Sequence, residues 1–259
     1  MNETVIYEMQ DNVAIVTLNR PAVHNALNSE VREGIDQALR AAANDGQVRA
    51  LVLTGAGCRA FSAGLDLTEF RTRMGGITAA ENERQRSLRQ ALLRFTKPTV
   101  AAVNGLAIGG GVELALQCDV IIASASATFA FAEVQRGIMP GNGGTQLLPR
   151  RIGRSAALEL LLTGRTVTAK DALAIGLVDH VTEPVELLDF GLCIARAITA
   201  NAPLALMAVK RAVREGLELR LDDALALESA LNSALYETPD AREGVLAFAE
   251  KRPPRWTGG

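Results

Sequence analysis

The longest apolar stretch of the chain, residues 99–123, constrains the fold through what interrupts it. Asn104, Glu113, Gln117 and Asp119 lie inside it, together with Gly109-Gly110-Gly111. An acidic residue in the middle of a membrane helix costs about 2.5–3.5 kcal/mol on insertion scales. A membrane span is therefore the weaker reading. The stretch reads instead as buried strand over 99–103, a turn at Asn104-Gly105, and a helix that starts in the 109–116 segment.

The rest of the chain repeats that grammar. Residues 5–9 and 13–18 are β-rich runs around Asp11-Asn12 and predict a hairpin. Val31, Ile35, Ala38, Leu39 and Ala42 recur at helical spacing over 31–44, with Ser29 as the expected N-cap. Residues 48–54 form a short apolar run ending at Gly55-Ala56-Gly57, as a buried strand does. Residues 71–95 are Arg-rich and helix-compatible, with a break at Gly75-Gly76. Further short strands are expected at 120–123 and 128–131. From Gly143 onward helix dominates: 169–175 capped by Thr168 and stopped by Gly176, then 187–199, 204–217 and 221–236, with Pro203 and Pro239 where helices begin. The alternation in the first part predicts a layered α/β core, and the last stretch an all-helical subdomain. The segments 48–67 and 99–116 echo each other as strand, Gly-rich turn and amphipathic start, two similar turns of one architecture.

Composition bounds the function. The chain has 259 residues, 48% of them hydrophobic, enough for a packed core. A net charge of −2 leaves no electrostatic surplus for nucleic acid or an anionic membrane. Cys58, Cys118 and Cys193 are odd in number and form no CxxC pair, so a disulfide framework is not expected and a reducing, cytoplasmic setting is. The first residues carry an early acidic residue and no apolar core of signal-peptide length. With only His24 and His180, neither a His-rich metal cluster nor a His-based triad is expected.

Two glycine-rich turns and two carboxylates carry the chemistry. Ala63-Gly64-Leu65-Asp66 and Gly109-Gly110-Gly111 each read as a turn into a helix, where backbone N–H groups lack intrahelical acceptors and the dipole is positive. Two such turns facing each other would hold one oxygen between two N–H donors, an oxyanion hole. The plainer alternative is that the glycines serve tight strand–helix packing. Residues 55–60 also fit the loose G-x-G-x-x-A dinucleotide pattern, but the acidic residue expected about 20 positions on is missing. Glu113 follows the glycine run among apolar neighbours, where burial would raise its pKa into a range useful for proton transfer; its structural alternative is simply the favourable dipole of a first turn. Glu133 stands just after a predicted buried strand, and its structural alternative is an ion pair with Arg136. As a pair, the glutamates suit proton movement at carbons next to a polarised carbonyl.

At this point the residues resemble the enoyl-CoA hydratase/isomerase (crotonase) superfamily over essentially the whole chain. The matching pieces are Asn19-Arg20-Pro21 with Asn25-Ala26-Leu27, then residues 60–66, 97–105 and 109–114, then 140–146, 162–164, 169–172 and 176–178, and finally 243–252. In this order they are specific. The resemblance implies a spiral of repeated ββα units over 1–198 and a C-terminal helical trimerisation region over 199–259, with homotrimers often paired into hexamers. It implies an acyl-CoA substrate whose thioester oxygen is held by the N–H groups of Leu65 and Gly110, with Ala63 facing the adenine and Asp66 beside it. Arg59 and Lys251 are candidate contacts to the CoA phosphates. Glu113 and Glu133 fall on the hydratase carboxylates, which implies addition of water across the 2,3 double bond of a 2-enoyl-CoA in fatty-acid or related metabolism. No metal or redox cofactor is implied, coenzyme A being part of the substrate. Two departures stand out: Ala22 where many relatives carry lysine, and Leu65 where alanine is common.

Three alternatives follow. A Δ3,Δ2-enoyl-CoA isomerase or a dehydratase of a substituted acyl-CoA needs the same oxyanion hole and one base. A non-catalytic RNA-binding member would need a local basic face, for which Arg71, Arg73, Arg84, Arg86, Arg89 and Arg94 are the candidates.

Overall fold

The computed structural model describes residues 3–72 and 91–259. Strands β1 (Val5–Gln10) and β2 (Val13–Leu18) form the expected antiparallel hairpin, with Asp11 at positive φ in its turn. Helix α1 (Ser29–Asn44) buries Val31, Ile35, Ala38, Leu39 and Ala42. Its cap is Asn28, whose side chain accepts from the Val31 N–H, so the expectation of Ser29 is corrected by one residue. Ser29 is already helical, and its hydroxyl donates to Glu69 at 2.6 Å.

The chain then repeats one unit. Strand β3 (Ala50–Gly55) is followed by β4 (Ala60–Ser62) and helix α2 (Leu67–Thr72). Strand β5 (Thr99–Val103) is followed by β6 (Leu106–Ile108) and helix α3 (Gly110–Leu116). Strand β7 (Val120–Ser124) is followed by β8 (Thr128–Ala130) and the short 3-10 turn Glu133–Arg136. The first strand of each unit enters a six-stranded sheet of order β1-β2-β3-β5-β7-β10, and the second enters a four-stranded sheet of order β4-β6-β8-β9. Within both, consecutive units pair in parallel. The echo between 48–67 and 99–116 is thus two turns of a spiral, as the crotonase-like expectation has it. The dinucleotide reading of 55–60 fails here, because that turn leads into strand β4 and not into a helix.

Helices α4 (Gly144–Ile152), α5 (Arg154–Thr163) and α6 (Ala169–Ala174) follow, with β9 (Val167–Thr168) and β10 (His180–Thr182) completing the sheets. Thr168 caps α6 as expected. The main core lies on one face of the large sheet and includes Phe61, Phe129 and Phe131. Helix α7 (Leu187–Thr199) covers the other face, packing Leu187, Leu192 and Ala195 on Val52, Val100 and Ile122. Burial on both faces explains why β3, β5 and β7 read as continuous apolar runs.

Helices α8 (Pro203–Gly216), α9 (Leu221–Tyr236) and α10 (Pro239–Ala249) differ. Pro203 and Pro239 open two of them as expected, yet α8 and α9 bury no residue. What ties α8 to the spiral is charge. Lys210 Nζ lies 2.7 Å from Asp119 Oδ2 and donates to the Lys97 carbonyl, while Arg214 lies 2.7 Å from Asp119 Oδ1 and donates to the carbonyls of Leu93 and Gln117. Burial pushes the Lys210 ammonium down to about 8, against the pull of Asp119. The tail folds back on α10, where Asp240 accepts from the N–H groups of Thr257 and Gly258, and it meets the body at Trp256, whose carbonyl accepts from Arg49.

Among the described residues no single helix is long and apolar enough to cross a membrane. The bent pair α7 and α8 has that composition only jointly, across a 104° break. Of the candidate basic face, Arg73, Arg84, Arg86 and Arg89 lie outside the described residues, as do the Gly75-Gly76 break and the Arg71 side chain.

Candidate active site

Each functional candidate follows the second strand of a spiral unit: Leu65 after β4, Gly110 after β6, Glu133 after β8. Because β4, β6 and β8 lie side by side in one sheet, their C-terminal ends bring the three together.

The segment around Leu65 runs parallel to the segment ending at Leu27. The Leu27 N–H donates to the Gly64 carbonyl at 2.7 Å, and the Asp66 N–H donates to the Leu27 carbonyl at 3.3 Å. In extended backbone, successive N–H groups alternate sides. The Leu65 N–H therefore faces away from Leu27, toward Gly110. Asn25, 1% exposed and at positive φ, holds this arrangement from below: its amide donates to the carbonyls of Ala56 and Ala60.

The approach of the two turns needs glycine. A Cβ on Gly64, which sits at φ +76°, would run into the Ile108 carbonyl and lie 2.9 Å from the Gly110 nitrogen. A Cβ built on Gly110 would lie 3.7 Å from the Leu65 nitrogen. Gly110 opens α3, so its N–H has no acceptor within the helix. Neither the Leu65 nor the Gly110 N–H finds a hydrogen-bond acceptor among the described residues. The glycines do serve packing, and the same packing sets two unpaired donors beside each other.

Glu113, one turn into α3, is 1% exposed. Its Oε1 accepts from the N–H groups of Asn142 and Gly144, each at 2.8 Å. Those donors come from the glycine-rich loop before α4, where Gly143 adopts φ +112°. Glu133 is half buried, and its carboxylate lies over Gly109, where an added Cβ would collide with Oε1. Its Oε2 is buried with no hydrogen-bond partner. Burial holds the Glu133 carboxyl above the usual carboxylate range, and the Glu113 charge pushes it the same way. The structural alternative, an ion pair between Glu133 and Arg136, is not formed: Arg136 Nη1 donates instead to the Ala132 carbonyl at 2.8 Å.

The other candidates are placed differently. Asp66 is turned to Arg20, 2.8 Å away, and accepts from the Thr68 N–H at the start of α2. Burial alone would raise its pKa, but Arg20 and the backbone donors hold it below the usual range. Ala63 is partly exposed, its N–H donating to the His24 carbonyl. Arg59 is exposed on the β3–β4 turn. Lys251 is exposed after α10 at positive φ, and among the described residues no side-chain hydrogen bond or ion pair links it to the cleft. Among the described residues no group of His, Cys, Asp and Glu gathers as a metal site. Reading the residues one by one missed the loop donors Asn142 and Gly144. Their signal was present in the glycine-rich segment 140–146, whose backbone N–H groups, not side chains, do the binding.

Comparison with known proteins places the chain in a family. Residues 8–259 match the family model described as enoyl-CoA hydratase/isomerase. The short-chain-enoyl-CoA hydratase of Clostridium acetobutylicum is 42% identical over 254 residues, 96% of this chain and 95% of that protein. The 2,3-dehydroadipyl-CoA hydratase of Escherichia coli is 41% identical, with 100% of both chains covered. The crystal structure of an enoyl-CoA hydratase from Bacillus anthracis superposes with a TM-score of 0.94 at 34% identity, over 99% of this chain and 100% of that one. Spiral topology, order of motifs and near end-to-end similarity together make this chain a member of the enoyl-CoA hydratase/isomerase (crotonase) superfamily.

Proposed function

We propose that the cleft between Leu65, Gly110, Glu113 and Glu133 adds water reversibly across the 2,3 double bond of a 2-enoyl-CoA thioester. The observation that carries this reading is the pairing of two free N–H donors beside a half-buried carboxyl whose Oε2 has no partner. The thioester oxygen accepts from both N–H groups, which polarises the conjugated double bond and stabilises the enolate-like intermediate. One such donor is typically worth about 2.7–4 kcal/mol in the transition state. Glu113, oriented by Asn142 and Gly144, holds the attacking water and takes its proton. Glu133, held protonated to higher pH than an ordinary glutamate, delivers a proton to the α-carbon. Each proton-transfer role contributes about 10²–10⁴-fold. The presence of both carboxylates favours hydration over isomerisation, which needs one base. No metal or redox cofactor enters this scheme.

Full-length relatives carry hydratase names, and the acyl part of those names varies, so the hydro-lyase reaction is the common denominator. The Ala63 carbonyl is assigned to the adenine, with Asp66 bracing that turn through Arg20, and Arg59 and Lys251 to the CoA phosphates. Residues 199–259 act as a trimerisation region, two trimers forming a hexamer. The exposed Val209, Val213, Leu217, Leu221 and Phe248 supply the apolar surface for it. A cytoplasmic setting suits the three free cysteines.

The test is direct. Crotonyl-CoA and longer 2-enoyl-CoAs are supplied, and loss of the conjugated thioester absorbance is followed. Turnover is expected on at least one chain length. Absence of turnover on all of them, with salt-dependent RNA binding instead, would replace the reading by the non-catalytic one.

A further inference from the structure

Gln117 is 3% exposed at the C-terminal end of α3, one helical turn beyond Glu113. Its Nε2 donates to the Asn142 carbonyl at 3.2 Å, while its Oε1 is buried without a partner. An unsatisfied buried carbonyl costs about 1–3 kcal/mol, so an apolar side chain of the same shape would pack there at no loss. What the amide supplies is a contact to Asn142, one of the two residues whose N–H donates to Glu113. Asn142 is flanked by Gly141 and Gly143, and a Cβ at Gly141 would meet nothing within 4 Å. Side-chain packing therefore does not fix the chain at this point, and hydrogen bonds position Asn142. The Asn142 N–H reaches Glu113 Oε1 on one side, and the Asn142 carbonyl receives Gln117 Nε2 on the other. The Gln117 main chain is itself held, its carbonyl accepting from Arg214 Nη2 at 2.8 Å.

We infer that Gln117 is a positioning residue for Glu113: it pins the Asn142 peptide so that the loop N–H fixes the carboxylate that activates water. This rests on the hydratase reading above. Without the pin the loop samples other conformers, Glu113 loses a directed donor, and the water is held less well. The α-carbon side of the cleft, formed by Glu133 and the two N–H donors, is untouched.

Two reactions separate these sides. Hydration of crotonyl-CoA needs Glu113. Exchange of the α-proton of butyryl-CoA in D₂O needs only that the Glu133 carboxylate remove the proton and return a deuteron while the amides hold the enolate oxygen. For Gln117→Met we expect kcat for hydration to fall about 5–20-fold with KM within about twofold, exchange to stay within about twofold, and Tm to stay within about 2 °C. If the methionine variant does not fold, Gln117→Leu removes the donor with a smaller apolar side chain, and the same split is expected. Equal loss of hydration and exchange, or hydration within twofold of the parent, overturns the inference. Glu113→Gln serves as the reference. Should it retain hydration, the hydratase assignment of Glu113 fails; should it lose hydration while Gln117→Met does not, only the positioning role fails.

Discussion

Glu113 and Glu133 border one cleft in opposite ways. Glu113 lies inside a helix, sealed from solvent, with one oxygen fixed by two backbone donors. Glu133 sits on a short 3-10 turn, half exposed, with one oxygen pressed over Gly109 and the other bonded to nothing. The first is a carboxylate whose direction the protein dictates. The second keeps a free valence for hydrogen bonding that only a ligand can fill. A buried polar atom with no partner is uncommon in native structures and marks a place where something else belongs.

The largest test of this contrast removes each acid in turn. Glu113→Gln and Glu133→Gln are each expected to lower kcat for hydration by about 10²–10⁴-fold, with KM changed by less than about threefold. The double variant is expected to lose less than the product of the two, because residues acting as a unit are not additive. Steady-state kinetics on crotonyl-CoA decide it, and a variant within tenfold of the parent takes its glutamate out of the proton path.

A smaller effect comes from crowding the two acids. Gly109→Ala places a methyl against Glu133 Oε1 at a backbone φ of +50°, so the carboxylate must swing aside. Displacement on the ångström scale costs about 10²-fold in rate, and the strained backbone adds a stability cost of about 1–3 kcal/mol. Gly144→Ala meets the Phe131 ring at 2.8 Å and Pro140 at 2.9 Å before it meets Glu113 Oε1 at 3.1 Å. Here the expected order reverses: the drop in Tm exceeds what the change in kcat accounts for. Equal kinetic and thermal profiles for the two variants would erase the contrast.

The pH dependence follows from sign. Glu133 binds its proton more tightly folded than unfolded, through burial first and the Glu113 charge second. Activity that needs the protonated acid persists above the ordinary value of 4.5 and declines as pH rises through the folded value. The same linkage means that Glu133 weakens the fold progressively as pH rises from 4.5 upward. Glu133→Gln is therefore expected to raise Tm at pH 8 and to leave it unchanged at pH 4, read by thermal melts at both. The smallest effect is expected from Arg136→Ala, about threefold or less in kcat, since Arg136 braces the Ala132 carbonyl and touches Glu133 only through distant charge.

Much of this was legible from residues because the physics involved is local or periodic. Burial on both faces made β3, β5 and β7 continuous apolar runs, and the 3.6-residue spacing of α1 and the proline starts of α8 and α10 were plain. The three-residue strands β4 and β6 were not read as strands. They are too short for periodicity to register, and parallel pairing with neighbours far along the chain is what defines them. The cap of α1 slipped by one residue because Asn28 and Ser29 are both good caps, and the competing partner of Ser29, Glu69, is 40 residues away. In the site, the acids and the two glycine turns were visible as residue types. Asn142 and Gly144 were not, because their roles lie in peptide groups, which every sequence has; nor was Gln117, because its amide meets a carbonyl 25 residues away.

The ionic fastening of α8 has a consequence for how the chain tolerates shortening. Losing residues from 203 onward would take from the hydrophobic interior little more than Ala247 of α10, since α8 and α9 have no buried apolar residue. It would nonetheless strip Asp119 of both its cations and free the Gln117 carbonyl. A carboxylate abandoned in a partly buried site is far costlier than the same carboxylate never having been enclosed. Nicking by a protease after α7 would thus be felt at the base of the Glu113 helix, so the arm is less an appendage than a keystone set from outside.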